Sequence, residues 1–193
     1  MPYIPLNDNL PGITGLLEYR QDTALPIRQL TQILLRGEST LTEAERELIA
    51  SMVSSGNSCR FCTAAHTATA DLLLGEKETA EKVKHDLDHA PVSDKMKALL
   101  EIARAVQING REVTPVMVDK ARKAGTTDRE LHDTILIAAL FSLYNRYVDG
   151  LASITPAEPG FYDRLAQILV TKGYLPSSDR YSGLTPASSK NAG

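Results

Sequence analysis

Apolar residues recur at helical spacing along most of the chain, and the polar interruptions carry the signals that start and stop helices. Over residues 22–36, Leu25, Ile27, Leu30, Ile33 and Leu34 repeat at that spacing and Gly37 follows, which predicts a first long helix with Pro26 in its opening turn. Thr42 and Glu45 form a capping-box pattern ahead of a helix to about Ser55, whose apolar stripe is Leu48, Ile49, Met52 and Val53. Gly56-Asn57-Ser58 then breaks the chain. The next helix runs to about Leu74 with small side chains on every side, and Gly75 closes it. A short charged helix is expected over 76–87, one capped by Ser93 over 93–108, and one opened by Thr114-Pro115 that ends near Gly125. Thr126 or Thr127 caps a helix over 128–147 that carries the most apolar stretch, residues 135–141, and a last helix over 158–172 stops at Gly173.

No stretch alternates as a strand does, so the predicted fold is all-α, with about seven or eight helices. Residues 1–20 contain Pro2, Pro5 and Pro11-Gly12 and read as an extended arm of the kind that lies across a neighbouring subunit. Residues 21–173 form one helical domain. Residues 174–193, rich in Ser, Pro, Gly and Asn, read as a flexible C-terminal tail.

At 193 residues the chain is long enough for one domain to bury a core without metal or disulfide staples. A net charge of -3 argues against a general nucleic-acid or anionic-membrane surface. The longest largely apolar run, residues 135–143, is too short to span a bilayer, and the first residues lack a basic and apolar signal pattern. The expected location is therefore cytoplasmic, where a Cys-x-x-Cys pair is normally reduced and serves catalysis or metal binding rather than stapling.

Such a pair is present. Cys59 and Cys62 are the only cysteines, and His66 follows Cys62 by four residues. At about 100° per residue the three fall within a stripe roughly 60° wide, at the start of a central helix. There the unpaired N–H groups and the positive end of the helix dipole favour a thiolate. Two thiols at this spacing can close a small disulfide, making a two-electron device with a base beside it. Glu47 lies twelve residues before Cys59, on the face that also carries Ala44, Ala50, Ser51 and Ser54. Those small residues would let another helix approach and bury the carboxylate; by periodicity alone the favoured reading is a solvated charge beside Glu43 and Arg46.

The spacing of Glu47, Cys59, Cys62 and His66 resembles the active site of the alkylhydroperoxidase D-like group of the carboxymuconolactone decarboxylase superfamily. Asn145-Arg146-Tyr147-Val148-Asp149-Gly150 is similar to the N-R-x-x-D-G segment of its peroxidase-related branch. The resemblance covers roughly residues 20–170. It implies an all-helical homo-oligomer, trimeric or hexameric, that reduces hydroperoxides without a cofactor and is recharged by a lipoyl-type or thioredoxin-like dithiol. It further implies that Cys62 is the peroxidatic thiol, Cys59 the resolving one, His66 the acceptor of the thiol proton and Glu47 the group that orients His66. The helix dipole by itself favours Cys59 as the thiolate, whereas pairing with His66 favours Cys62. Some relatives carry a histidine between the cysteines, where this chain has Phe61, giving a more apolar mouth to the site.

Other readings of the same residues are a zinc site formed by Cys59, Cys62, His66 and Glu47, a redox sensor, and a lactone decarboxylase, which would not need the cysteine pair. Three ligands from one helix, with Cys59 and His66 about 10 Å apart along its axis, fit a tetrahedral ion poorly. His85 and His89 stand beside Asp86 and Asp88 and read with His132 as solvated. Tyr144 and Arg146 are candidates to border the site. A shift of 83 residues lays Glu45-Arg46-Glu47-Leu48 on Asp128-Arg129-Glu130-Leu131, a faint internal echo.

Overall fold

Side-chain caps start four helices where the sequence places them. Thr42 and Thr127 each accept from the backbone N–H three residues on and are paired with Glu45 and Glu130 in complete capping boxes. Ser93 and Thr114 accept from the N–H groups of Met96 and Met117. The computed structural model describes residues 1–177 together with Asp179, Tyr181 and Leu184. Among these residues it is all-helical: α1 (Ile13–Tyr19), α2 (Gln21–Arg36), α3 (Glu43–Gly56), α4 (Arg60–Leu74), α5 (Glu78–His85), α6 (Asp94–Ile108), α7 (Pro115–Lys123), α8 (Asp128–Gly150) and α9 (Pro159–Lys172), with single 3-10 turns at Leu87–His89 and Gly110–Glu112. No helix among them is long and apolar enough to cross a membrane.

Helices α3 and α4 pack on each other at the centre; α9 covers α4, and α6 and α8 back α3. The apolar stretch of α8 supplies Ile137, Ala138, Leu140 and Phe141 to the core, as its composition predicts. Eight of the nine helices match those read from the sequence. The ninth, α1, forms inside the segment expected to be an extended arm. Gly12 begins it with φ 61°, a conformation open to glycine at little cost, and Leu16 and Leu17 bury themselves against the domain. The residues before it lie along the chain's own α8–α9 connection, through Tyr3 N–H to Leu151 O (3.1 Å) and Gly12 N–H to Ile154 O (2.8 Å).

Helix α2 begins at Gln21, so Pro26 sits in its interior rather than its first turn. Both Pro26 and Asp22, whose carbonyl loses its usual partner, are exposed, and water can satisfy that oxygen. Arg46, read as solvated, is instead buried, because its guanidinium donates to the Leu34 and Gly37 carbonyls at the end of α2.

The segment after α9 also departs from the tail expected for 174–193. Tyr174 and Leu184 are buried and join the main hydrophobic cluster, against which Tyr181 packs. Residues 178, 180, 182, 183 and 185–193 of that expected tail lie outside the described residues. Gly173 makes the turn inward, with φ 64° and ψ -144°, a region essentially confined to glycine. A Cβ there would stand 2.4 Å from Gln32 Oε1, the atom that accepts from the Tyr174 N–H. Gly173→Ala is therefore expected to cost about 1–3 kcal/mol in urea unfolding and to loosen Tyr174. An unchanged midpoint would show that the turn is not under this constraint.

Candidate active site

The turn that delivers the cysteines is held by five polar side chains outside α4. Asn57 Nδ2 donates to Asn145 Oδ1 (2.9 Å) and Ser142 Oγ (3.3 Å), and Asn57 Oδ1 accepts from Gln107 Nε2 (3.0 Å). Asn145, itself 1% exposed, donates to Ser54 Oγ at 3.0 Å. Asn145 thereby clamps the end of α3 to α8 and fixes the path of the chain into Cys59. Ser58 turns the corner with φ 59°, and Cys59 is the N-cap of α4.

Both sulfurs are buried and unbridged. The hydrogen bond from Cys62 lowers the Cys59 thiol, against the opposing effects of burial and of Asp149. The same bond to Cys59, followed by burial, pushes Cys62 well up, while Asn145 opposes the rise. Within the pair Cys59 is thus the more readily ionised thiol. This agrees with Cys59's place at the helix start.

One turn further along α4, His66 points to the same space as Cys62. Its Nδ1 lies 2.6 Å from Glu47 Oε2, so that in the neutral ring Nδ1 donates and Nε2 is the free acceptor. The ring edge meets Phe141, with centroids 4.5 Å apart and planes at 82°. Glu47 reaches His66 from α3 and is 0% exposed. Its solvated reading fails because α2, α4 and the segment after α9 all close over that face. Burial pushes the Glu47 carboxyl up, but the charge and hydrogen bond of His66, then Arg36 and the Tyr174 hydroxyl, outweigh it and hold the group at about 2.

Cys62 and His66 line a largely apolar cavity with Phe61, Leu165, Phe141, Tyr144 and Tyr174, roofed by Ile13, Leu17 and Tyr181. The expected site residues Glu47, Cys59, Cys62 and His66 are therefore brought together, Cys62 and His66 in the cavity lining, Cys59 hydrogen-bonded to Cys62 and Glu47 to His66. Tyr144 borders it, with its hydroxyl 2.6 Å from Thr31 Oγ1. Arg146 does not: it is exposed and donates to Ser142 O on its own helix. Phe61 packs edge-on against Tyr162 and near Phe161, giving the apolar wall anticipated for it. His85, His89 and His132 are exposed beside Glu81, Asp86 and Asp133. The internal echo also dissolves, because Glu130 matches Glu45 as a capping residue rather than Glu47.

Sequence reasoning missed Arg36 and Tyr174. Arg36 Nη2 and the Tyr174 hydroxyl both donate to Glu47 Oε1, each at 2.6 Å. The first sits on the end of an ordinary amphipathic helix and the second in an apparent tail, and neither carries a local signal. Both oxygens of Glu47 are thus engaged. Among the described residues no group of three or more His, Cys, Asp or Glu is arranged to hold a metal ion.

Fold and site together define an all-helical protein with a buried dithiol, an imidazole and a carboxylate around one apolar cavity. The carboxymuconolactone decarboxylase family model matches residues 26–90, the span that holds all four expected site residues. An uncharacterized peroxidase-related protein from Silicibacter sp. TM1040 is similar at TM-score 0.71 and 26% identity, over 79% of this chain and 78% of that one. A second, from Ralstonia eutropha JMP134 and described as an alkylhydroperoxidase AhpD core, is similar at TM-score 0.72 and 25% identity, over 81% of each chain. Comparison with curated proteins gave no significant match. These findings support the resemblance read from the residues: the chain is similar to the alkylhydroperoxidase D-like branch of the carboxymuconolactone decarboxylase superfamily.

Proposed function

We propose that the protein is a cofactor-free thiol peroxidase that cycles Cys62 and Cys59 between dithiol and disulfide, with His66 and Glu47 as the proton relay. The observation that carries this reading is the buried 2.6 Å contact of Glu47 with His66 Nδ1, which leaves the imidazole's other nitrogen to the cavity it shares with Cys62.

In this reading Cys62 gives its proton to His66 as its sulfur attacks the terminal oxygen of the hydroperoxide. The O–O bond breaks, the departing alkoxide takes the proton from His66 and leaves as the alcohol, and Cys62 becomes a sulfenic acid. The Cys59 thiol then gives its proton to His66 as its sulfur attacks Cys62 Sγ; the S–O bond breaks, the hydroxide takes that proton and leaves as water, and the disulfide forms. An external dithiol, lipoyl-type or thioredoxin-like, supplies the two electrons that restore both thiols. Cys59 suits the resolving role because its thiol is the more readily ionised of the two, and Cys62 suits the attack because it lines the cavity.

Cumene hydroperoxide added to the reduced protein is expected to remove both free thiols of each chain and to yield an intramolecular disulfide that a dithiol reverses. Thiols that survive both this peroxide and hydrogen peroxide, in a protein that turns over a lactone, would replace this reading with the decarboxylase one. The trimer or hexamer implied by the resemblance belongs to the same proposal.

A further inference from the structure

The two oxygens of Glu47 are divided between unlike partners. Oε2 serves His66, while Oε1 accepts from Arg36 and Tyr174. The Arg36 side chain is 5% exposed, and its guanidinium lies 5.0 Å from the centroid of the Tyr174 ring. That ring in turn stands nearly parallel to the His66 imidazole, at 10° with centroids 6.5 Å apart. Tyr174 is held in place by its N–H to Gln32 Oε1 (2.7 Å) and by Arg28, which donates to its carbonyl (3.5 Å).

A carboxylate buried this deeply requires a positive partner. Were His66 the sole one, the carboxylate would draw it toward the imidazolium form, and it would lose its capacity as a base. Arg36 removes that demand because a guanidinium stays charged at any pH the protein meets.

We infer that Arg36 and Tyr174 are positioning residues of the Glu47–His66 relay: Arg36 is the fixed counter-ion that leaves the imidazole free to take and return a proton. Tyr174 is the donor that holds Oε1 so that Oε2 faces His66. The inference rests on the proposed peroxidase chemistry for what the relay accomplishes, but not for how the relay is held. The other groups that bear on this network are Arg28 from α2, Glu43 and Arg46 from α3, Cys59 and Cys62 from α4, and Tyr144 and Asp149 from α8. Glu43 stands 3.5 Å from Arg36 Nε, and its side chain is 38% exposed, so solvent screens it.

The test follows His66 by 15N NMR through a pH titration of the reduced full-length protein, beside the pH profile of thiol oxidation by cumene hydroperoxide. Arg36→Met is expected to raise the proton affinity of His66 about tenfold, and to displace the acidic limb of the rate profile upward by about one pH unit. Arg36→Lys restores most of both, and Tyr174→Phe produces about a threefold effect in the same direction. In a Glu47→Gln background the Arg36→Met effect on His66 disappears. A purely structural role would lower stability in these variants without moving the titration. His66 titrating within twofold of wild type in Arg36→Met and Tyr174→Phe overturns the inference, and Tyr174→Phe alone decides it should Arg36→Met fail to fold. If the wild-type thiols ignore peroxide, the functional reading falls while the His66 titration still decides this one.

Discussion

Replacing Cys62 by serine is expected to reduce peroxide consumption about a thousandfold or more, because a serine hydroxyl does not ionise near neutral pH and attacks the O–O bond poorly. Cys59→Ser is expected to behave differently. The first attack survives, one equivalent of peroxide is consumed, and the reaction stops with a sulfenic acid on Cys62 that a dimedone-type probe labels. The electrostatics sharpen this expectation. The largest influence pushing the Cys62 thiol up is its bond to Cys59, and serine at 59 removes that sulfur. The single burst of the Cys59→Ser protein should then be at least as fast as in wild type, even though turnover is lost. A labelled sulfenic acid at Cys59 in the Cys62→Ser protein, with none at Cys62 in Cys59→Ser, would exchange the two roles.

Glu47→Ala is expected to cost about 3–5 kcal/mol of folding stability, because it strands the Arg36 guanidinium in a site built to neutralise it. That is a large part of the stability of an ordinary domain. Glu47→Gln keeps the volume and should cost less. The same carboxylate gives the protein a specific acid sensitivity. It is held at about 2 when folded, against an ordinary 4.5. Since its folded value is depressed, its contribution is present above about pH 4.5 and is lost as the pH falls from there toward 2. The difference corresponds to about 3 kcal/mol. Urea unfolding at stepped pH should show wild-type stability falling through that window more steeply than that of Glu47→Gln. Equal slopes would mean that the carboxylate is not held in this way.

The parts of the molecule legible in advance were those governed by local rules. The capping box at Thr42, the caps at Ser93, Thr114 and Thr126 or Thr127, and the apolar stripes placed eight helices, since a helix's own periodicity records which side it buries. The shared direction of Cys59, Cys62 and His66 follows from their spacing on one helix. Glu47 is the instructive case. Its helix was readable but its burial was not, because the covering groups come from α2, α4 and the segment after α9. The contact with Tyr174 spans 127 residues of sequence, a distance over which no periodicity speaks. Helix α1 was hidden by Pro11-Gly12, read as a breaker where Gly12 in fact begins a helix. Tyr174 was hidden by its polar, turn-rich surroundings.

The cavity lining draws on the two ends of the described chain, Ile13 and Leu17 on one side and Tyr174 and Tyr181 on the other. On the ribosome, Cys62 is therefore made 112 residues before Tyr174 (174 less 62), an interval of about ten seconds at ordinary elongation rates. Until then the nascent chain has both sulfurs and the carboxylate but not the whole of the wall around them. A product terminated ahead of Tyr174 would keep them in that unfinished state, with Glu47 lacking the hydroxyl that holds one of its oxygens.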